Sequence, residues 1–289
     1  MRAHLIVALL AASCATEPSP HAAPDVVSAD APPVDVTATD AATSPPDVVD
    51  VPAPQDVTLD AGPPPATRLG VLFIGNSYTF YNELPTLVAS LGASGEGTAE
   101  RPRLTVDSVT EGGATLQRHW DQMRQERARA GGWSAVVLQG QSVEPIAAFQ
   151  GFDAYARRFA EVIRGAGARP VYFATWARRE GDAVYGQAWS GGSFAAMSQR
   201  LDNAYRLVAM NTDGEVAPVG ARWAAAVRQR PELNLYDADG SHPSLAGSYL
   251  AACVIYRAVT GRAVAAEAPV PSGLPPGDAL FLRSIAASP

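Results

Sequence analysis

The sequence predicts an α/β protein, a three-layer α/β/α sandwich with a parallel five-stranded sheet. Two observations carry this. From Leu69 onward, short apolar runs alternate with stretches whose apolar residues recur at three- and four-residue spacing. Strands alternating with helices form a parallel sheet covered on both faces. The two cysteines of the chain, Cys14 and Cys253, offer no disulfide framework, so about 220 residues must supply one hydrophobic core, and that number suffices.

The elements follow in order. The strand-like runs are 69–74, 104–109, 135–138 and 171–175, with a weaker fifth at 215–219. Helical spacing occupies 83–93, 115–129, 152–165, 194–210 and 221–229. A last long helix is expected from about 243 to 260, with Pro243 in its first turn, where a missing N–H is harmless, and Gly261 as its stop. Pro269, Pro271, Pro275 and Pro276 mark an irregular tail closed by a short helix at 278–286. In such sheets ligands bind at the carboxyl ends of the strands. Ser77 follows the first strand, Gly113 the second and Gln141 the third, so three candidate groups fall on one edge.

Residues 1–14 read as an export signal. Arg2 gives a positive start, Leu5–Ala12 an apolar core too short to span a bilayer, and Ala12 and Ser13 precede Cys14. Small residues directly before a cysteine resemble a bacterial lipoprotein signal, which implies that Cys14 is lipidated. Residues 15–67 form a Pro/Ala/Asp-rich tether with eight Asp, one Glu and no Arg or Lys. Such a composition cannot bury enough apolar area to offset chain entropy, so a disordered, extended segment is expected. Residues 68–289 are the folded domain. The organisation predicts an exported protein held away from a membrane by a lipid anchor, periplasmic or at the cell surface, with an ordinary secretory signal and a secreted protein as the alternative.

The net charge of −7 arises in the tether. Residues 68–289 carry 21 Arg against 20 Asp plus Glu, with no Lys anywhere in the chain. No basic face for nucleic acid follows from this. The folded part has two histidines, His119 and His242, so a metal site built on His and Cys clusters is not expected, and no organic cofactor motif is present. Cys253 lies in an apolar helical stretch and reads as a buried free thiol.

Chemistry concentrates in two segments, Gly75-Asn76-Ser77 and Asp239-Gly240-Ser241-His242-Pro243. A serine is a weak nucleophile that needs a base, and the base needs an orienting group. His242 sits in a polar loop, and Asp239, three residues upstream, can reach its ring. Asp237 is a nearby competitor. His119 lies on a helical stretch beside Arg118 and reads as a helix-surface or packing residue. No G-x-S-x-G elbow and no G-x-G-x-x-G or P-loop pattern occurs.

Gly75-Asn76-Ser77-Tyr78-Thr79, Gly113-Ala114-Thr115, Gln141 and Asp239-x-x-His242-Pro243 together resemble the conserved blocks of the SGNH/GDSL hydrolase superfamily, and look closest to a DUF4886-like bacterial branch. The resemblance covers residues 69 to about 262. It implies a flavodoxin-like sandwich and a serine esterase working through an acyl-serine intermediate, on a small-molecule or carbohydrate ester. It implies Ser77 as nucleophile, His242 as general base and Asp239 as its orienting carboxylate. The oxyanion hole would combine the N–H groups of Ser77 and Gly113, with Gly112 as the alternative, and the side-chain amide of Gln141. The family's usual Gly-Asp-Ser is here Gly-Asn-Ser, and Gln141 stands where Asn is usual. An O-acyltransferase on the same fold and a non-catalytic surface binding module are the alternatives. A monomer is expected. Trp176, Tyr185, Trp189 and Phe194, after the fourth strand, read first as the packing of a long loop onto the core, with stacking on sugar rings as the alternative.

Overall fold

The computed structural model describes residues 68–93 and 102–288. The export signal, Cys14 and the tether lie outside the described residues. In chain order the elements are β1 (Arg68–Gly75), α1 (Ser77–Phe80), α2 (Leu84–Leu91), β2 (Arg103–Thr110), α3 (Leu116–Asp121), α4 (Gln125–Arg129), β3 (Ala135–Leu138), α5 (Glu144–Ala147), α6 (Phe149–Gly165), β4 (Arg169–Phe173), α7 (Phe194–Thr212), β5 (Glu215–Ala217), α8 (Val219–Gln229), α9 (Leu245–Thr260) and α10 (Pro276–Ala287).

The five strands are all parallel and lie in the order β2-β1-β3-β4-β5. This is the flavodoxin-like order, with the chain reversing direction across the sheet beside β1. Alternation along each strand divides the core. Val71 and Phe73 of β1, Val137 of β3 and Phe173 of β4 pack under α2, α8, α9 and α10. Leu72 and Ile74 of β1, Val136 and Leu138 of β3 and Tyr172 of β4 face the other way, under α3, α4, α6 and α7. Successive side chains on a strand point to opposite faces, so a strand covered on both sides is apolar throughout. Each fully buried aliphatic or aromatic side chain contributes roughly 1.5–3 kcal/mol.

Most boundaries shift by one to three residues, and two differences have an instructive cause. The 115–129 stretch is two helices, because Met123 takes the left-handed conformation (φ 59°) and ends α3. The Met123 N–H donates to the Trp120 carbonyl and the Arg124 N–H to the His119 carbonyl, a left-handed helix stop normally built on glycine. The last long helix starts at Leu245, later than Pro243. Ser244 caps it by accepting from the Gly247 N–H at 3.2 Å. Pro243 is held outside the helix in an isolated antiparallel bridge with Tyr236. Gly261, at φ 71°, closes α9 as expected. Cys253 is buried, and burial pushes its thiol up to about 12, so it stays an unreactive thiol.

Candidate active site

The chain leaves β1 at Gly75 and turns at once into α1. A Cβ at Gly75 would lie 2.3 Å from Thr79 Oγ1 and 2.7 Å from Gln139 Oε1, so any side chain there would displace these two groups, which are bonded to each other. Asn76 caps α1, its Oδ1 accepting from the Tyr78 N–H at 3.1 Å. This leaves Ser77 at the first helical position, half-buried, with its hydroxyl free to face the sheet edge.

Neighbouring loops grip this turn from both sides. From β2, the Glu111 N–H and the His119 Nε2–H donate to the Gly75 carbonyl, the latter at 2.9 Å. From β3, Gln139 Oε1 accepts from the Asn76 N–H at 2.8 Å and from Thr79 Oγ1 at 2.9 Å. Asn76 Nδ2 in turn donates to the Ala114 carbonyl at 3.2 Å, which a carboxylate could not do. His119 is a fully buried packing residue, and its burial lowers the imidazole's proton affinity, so it stays neutral.

The structure brings Ser77, His242 and Asp239 into one hydrogen-bonded line. His242 Nε2 lies 2.9 Å from Ser77 Oγ, and His242 Nδ1 lies 2.5 Å from Asp239 Oδ2. The other oxygen of Asp239 accepts from the backbone N–H groups of Ser241 and His242, both at 2.9 Å. Partial burial works to raise the Asp239 carboxyl, but the bonds from the His242 ring and the two N–H groups outweigh it and bring it down to about 2. Asp239 is therefore charged at any ordinary pH and fixes the ring with Nδ1–H toward itself and Nε2 toward the serine. Asp237 points elsewhere: its Oδ1 accepts from the Ala238 N–H, and its carbonyl accepts from Arg179.

The residues beside these three in sequence form a polar and aromatic layer. The Tyr78 hydroxyl shares a 2.8 Å bond with Ser241 Oγ. Trp176 is fully buried between Tyr78 and Trp223, stacked at 4.6 and 4.0 Å, and its Nε1–H donates to the Ser241 carbonyl at 3.0 Å. It is therefore scaffold and not a sugar platform. Tyr185, Trp189 and Phe194 are half-buried against Ala177, Met197 and Leu201. Arg178 donates to Ser142 Oγ at 3.0 Å, next to Gln141.

Gly113 sits at φ 69°, a left-handed turn that favours glycine, and a Cβ there would meet no protein atom within 4 Å. Gln141 folds its side chain back, Oε1 accepting from the Val143 N–H at 2.9 Å. That bond fixes which end of the amide is oxygen and leaves Nε2 without an acceptor among the described residues. Buried Glu144 accepts from the Gln141 N–H at 2.9 Å and holds the loop. Gln139, by contrast, is fully buried with both amide ends bonded within the protein, Nε2 to the Gly140 carbonyl. The supporting roles of Gln139, His119, Trp176 and Ser241 carry no local sequence signal, since each depends on contacts dozens of positions away. Among the described residues, no group of three His, Cys, Asp or Glu side chains could hold a metal ion.

No protein-family model matches the chain, and no curated protein is significantly similar to it. A solved structure decides the family. A Slackia heliotrinireducens protein assigned to the SGNH hydrolases is 30% identical, covers 66% of this chain and 99% of its own, and superposes with a TM-score of 0.55. The chain is an SGNH hydrolase. The same fold recurs in a DUF4886 family protein from Bacteroides uniformis, at 20% identity, over 76% of this SGNH hydrolase and 93% of the other chain, with a TM-score of 0.64. It recurs again in an acetylxylan esterase from Geobacillus stearothermophilus, at 14% identity over 66% and 94%, with a TM-score of 0.51.

Proposed function

We propose that this SGNH hydrolase is an exported serine esterase that cleaves carboxylic esters, with acetylated carbohydrates as its substrate class. The observation that carries the reading is the line from Asp239 through His242 to Ser77, with bonds of 2.5 and 2.9 Å. In this mechanism His242 Nε2 takes the Ser77 proton as Oγ attacks the ester carbonyl carbon. The negative charge that develops on the carbonyl oxygen is met by the N–H groups of Ser77 and Gly113 and by Gln141 Nε2, none of which has another acceptor among the described residues. Collapse expels the alcohol, which receives its proton from His242. Water, deprotonated by the same nitrogen, then hydrolyses the acyl-serine.

The carbohydrate class draws on the acetylxylan esterase that shares the fold and on the half-exposed Tyr185 and Trp189 after β4. Nitrophenyl esters from acetate to octanoate, followed by acetylated xylo-oligosaccharides, test the reading. Acetate is expected to turn over fastest and the sugar acetates to be cleaved. A preference for octanoate would remove the carbohydrate class, and a folded protein inert to every ester would remove the esterase. Export through Cys14 belongs to the same proposal. Cys14→Ser is expected to move the protein from the membrane to the soluble fraction, and unchanged fractionation contradicts the lipid anchor.

A further inference from the structure

We propose that Tyr81 is a positioning residue for the base. Its ring holds the His242 imidazole in line with Ser77 and favours the imidazolium that forms when Ser77 gives up its proton. This rests on the esterase reading for what His242 does, and on geometry for the rest. The two rings are stacked face to face, with centroids 4.2 Å apart and planes 14° apart. Tyr78 meets the same imidazole edge-on, at 5.6 Å and 78°. With Asp239 and Ser77 bonded in the ring plane and a tyrosine on its face, the imidazole has one orientation available. The face of an aromatic ring is electrically negative and attracts a cation above it more than a neutral ring. The attraction is therefore largest once the proton has moved, which is where an interaction accelerates reaction.

The backbone around Tyr81 is built to hold this contact. Asn82 and Glu83 follow it with φ of 51° and 52°, two successive non-glycine residues in the left-handed region. Such conformations are disfavoured and persist only where the surroundings fix them. Here Asn82 Nδ2 donates to the Pro243 carbonyl at 3.1 Å and to Ser248 Oγ at 2.8 Å. The kink is thus tied to the residue that follows His242 and to the first turns of α9. The segment carrying the nucleophile and the segment carrying the base are locked together where their rings stack. The titratable groups bonded to or packed on the His242 ring are Asp239 on its own loop and Tyr78 and Tyr81 on the nucleophile segment, while Asp237 and Arg179 reach the backbone of that loop through the His242 and Gly240 carbonyls. Arg178, on the loop after β4, bonds Ser142 and acts on Tyr78.

The test is a proton NMR titration of the His242 ring in the full chain, with the acid limb of kcat/KM measured alongside. In Tyr81→Leu the titration midpoint is expected to fall by about 0.5–1 pH unit, with kcat/KM at neutral pH down on the order of 10-fold. Tyr81→Phe, which keeps the ring, should restore the midpoint. A midpoint that is unchanged or raised in Tyr81→Leu overturns the proposal, because a ring that merely shields the imidazole from water would raise it on removal. Should Tyr81→Leu not fold, pentafluorophenylalanine at position 81 keeps the shape and reverses the charge of the ring face. Its midpoint must then lie below that of Tyr81→Phe, and equal midpoints overturn the proposal. The titration needs no turnover, so a folded chain that hydrolyses no ester would sink the esterase reading and leave the ring contact to be decided separately.

Discussion

The amide of Asn76 explains why this chain departs from Gly-Asp-Ser. Its Nδ2 donates to the Ala114 carbonyl across the gap between the first two exit loops. An aspartate there would set a carboxylate oxygen against a carbonyl oxygen in a buried site. Asn76→Asp is expected to lose roughly 1–3 kcal/mol of stability at pH 7.5 in urea unfolding. One carboxylate oxygen keeps the Tyr78 N–H, but burial and the opposed Ala114 carbonyl raise the folded-state carboxyl above its unfolded value, so the lost stability should partly return as the pH falls toward 5 and the group takes up a proton to donate. Equal stability of variant and parent at pH 7.5 would show that the amide bond contributes nothing. Gln141 makes a second prediction at this scale. If Nε2 meets the oxyanion, Gln141→Ala should lower kcat by about 10²–10³ with KM nearly unchanged. A raised KM with intact kcat would instead make Gln141 a ground-state contact. The buried and fully bonded Gln139 is no substitute for it.

At the scale of elements, Trp176 is the hub. It stacks between Tyr78 of α1 and Trp223 of α8 and bonds the Ser241 carbonyl, so one side chain from the exit of β4 joins the Ser77 segment, a flanking helix and the His242 loop. Trp176→Leu is expected to cost on the order of 3 kcal/mol and, on the proposed mechanism, to lower ester turnover, because the His242 loop loses its backbone anchor. Denaturant unfolding together with an ester assay checks this, and a loss of stability without loss of activity would show that the loop holds itself. Trp176 also marks where sequence reading stopped. Its place after the fourth strand allowed both core packing and a sugar platform; the structure shows the packing, and nothing local in the sequence shows that Trp223, 47 positions on, closes over it. The central strands were legible because they are apolar on both faces, and Gly261 was legible because a left-handed helix end favours glycine. The break in 115–129 was not, since Met123 takes a glycine's conformation. The start of α9 was misplaced because Pro243 is as suitable for a first helical turn as for the bridge it makes with Tyr236.

At the scale of the whole molecule, the strand order β2-β1-β3-β4-β5 puts the exits of the three neighbouring strands side by side. Ser77, Gly113 and Gln141 stand on those three exits, and the loop before α9 delivers Asp239 and His242 to the same edge. The parallel alternation of strands and helices, readable from the sequence, already implied this convergence, whereas the bonds that brace it, from Gln139, His119 and Asn82, span 44 to 166 positions and needed the fold. The central claim is that this edge makes Ser77 a nucleophile. Labelling the folded protein with a fluorophosphonate, followed by peptide mass spectrometry, tests it most directly. A single phosphonylated residue, Ser77, is expected, with the adduct lost in Ser77→Ala and strongly slowed in His242→Ala. An unlabelled Ser77 in a protein that still hydrolyses esters, or equal labelling of the parent and Ser77→Ala, would contradict it.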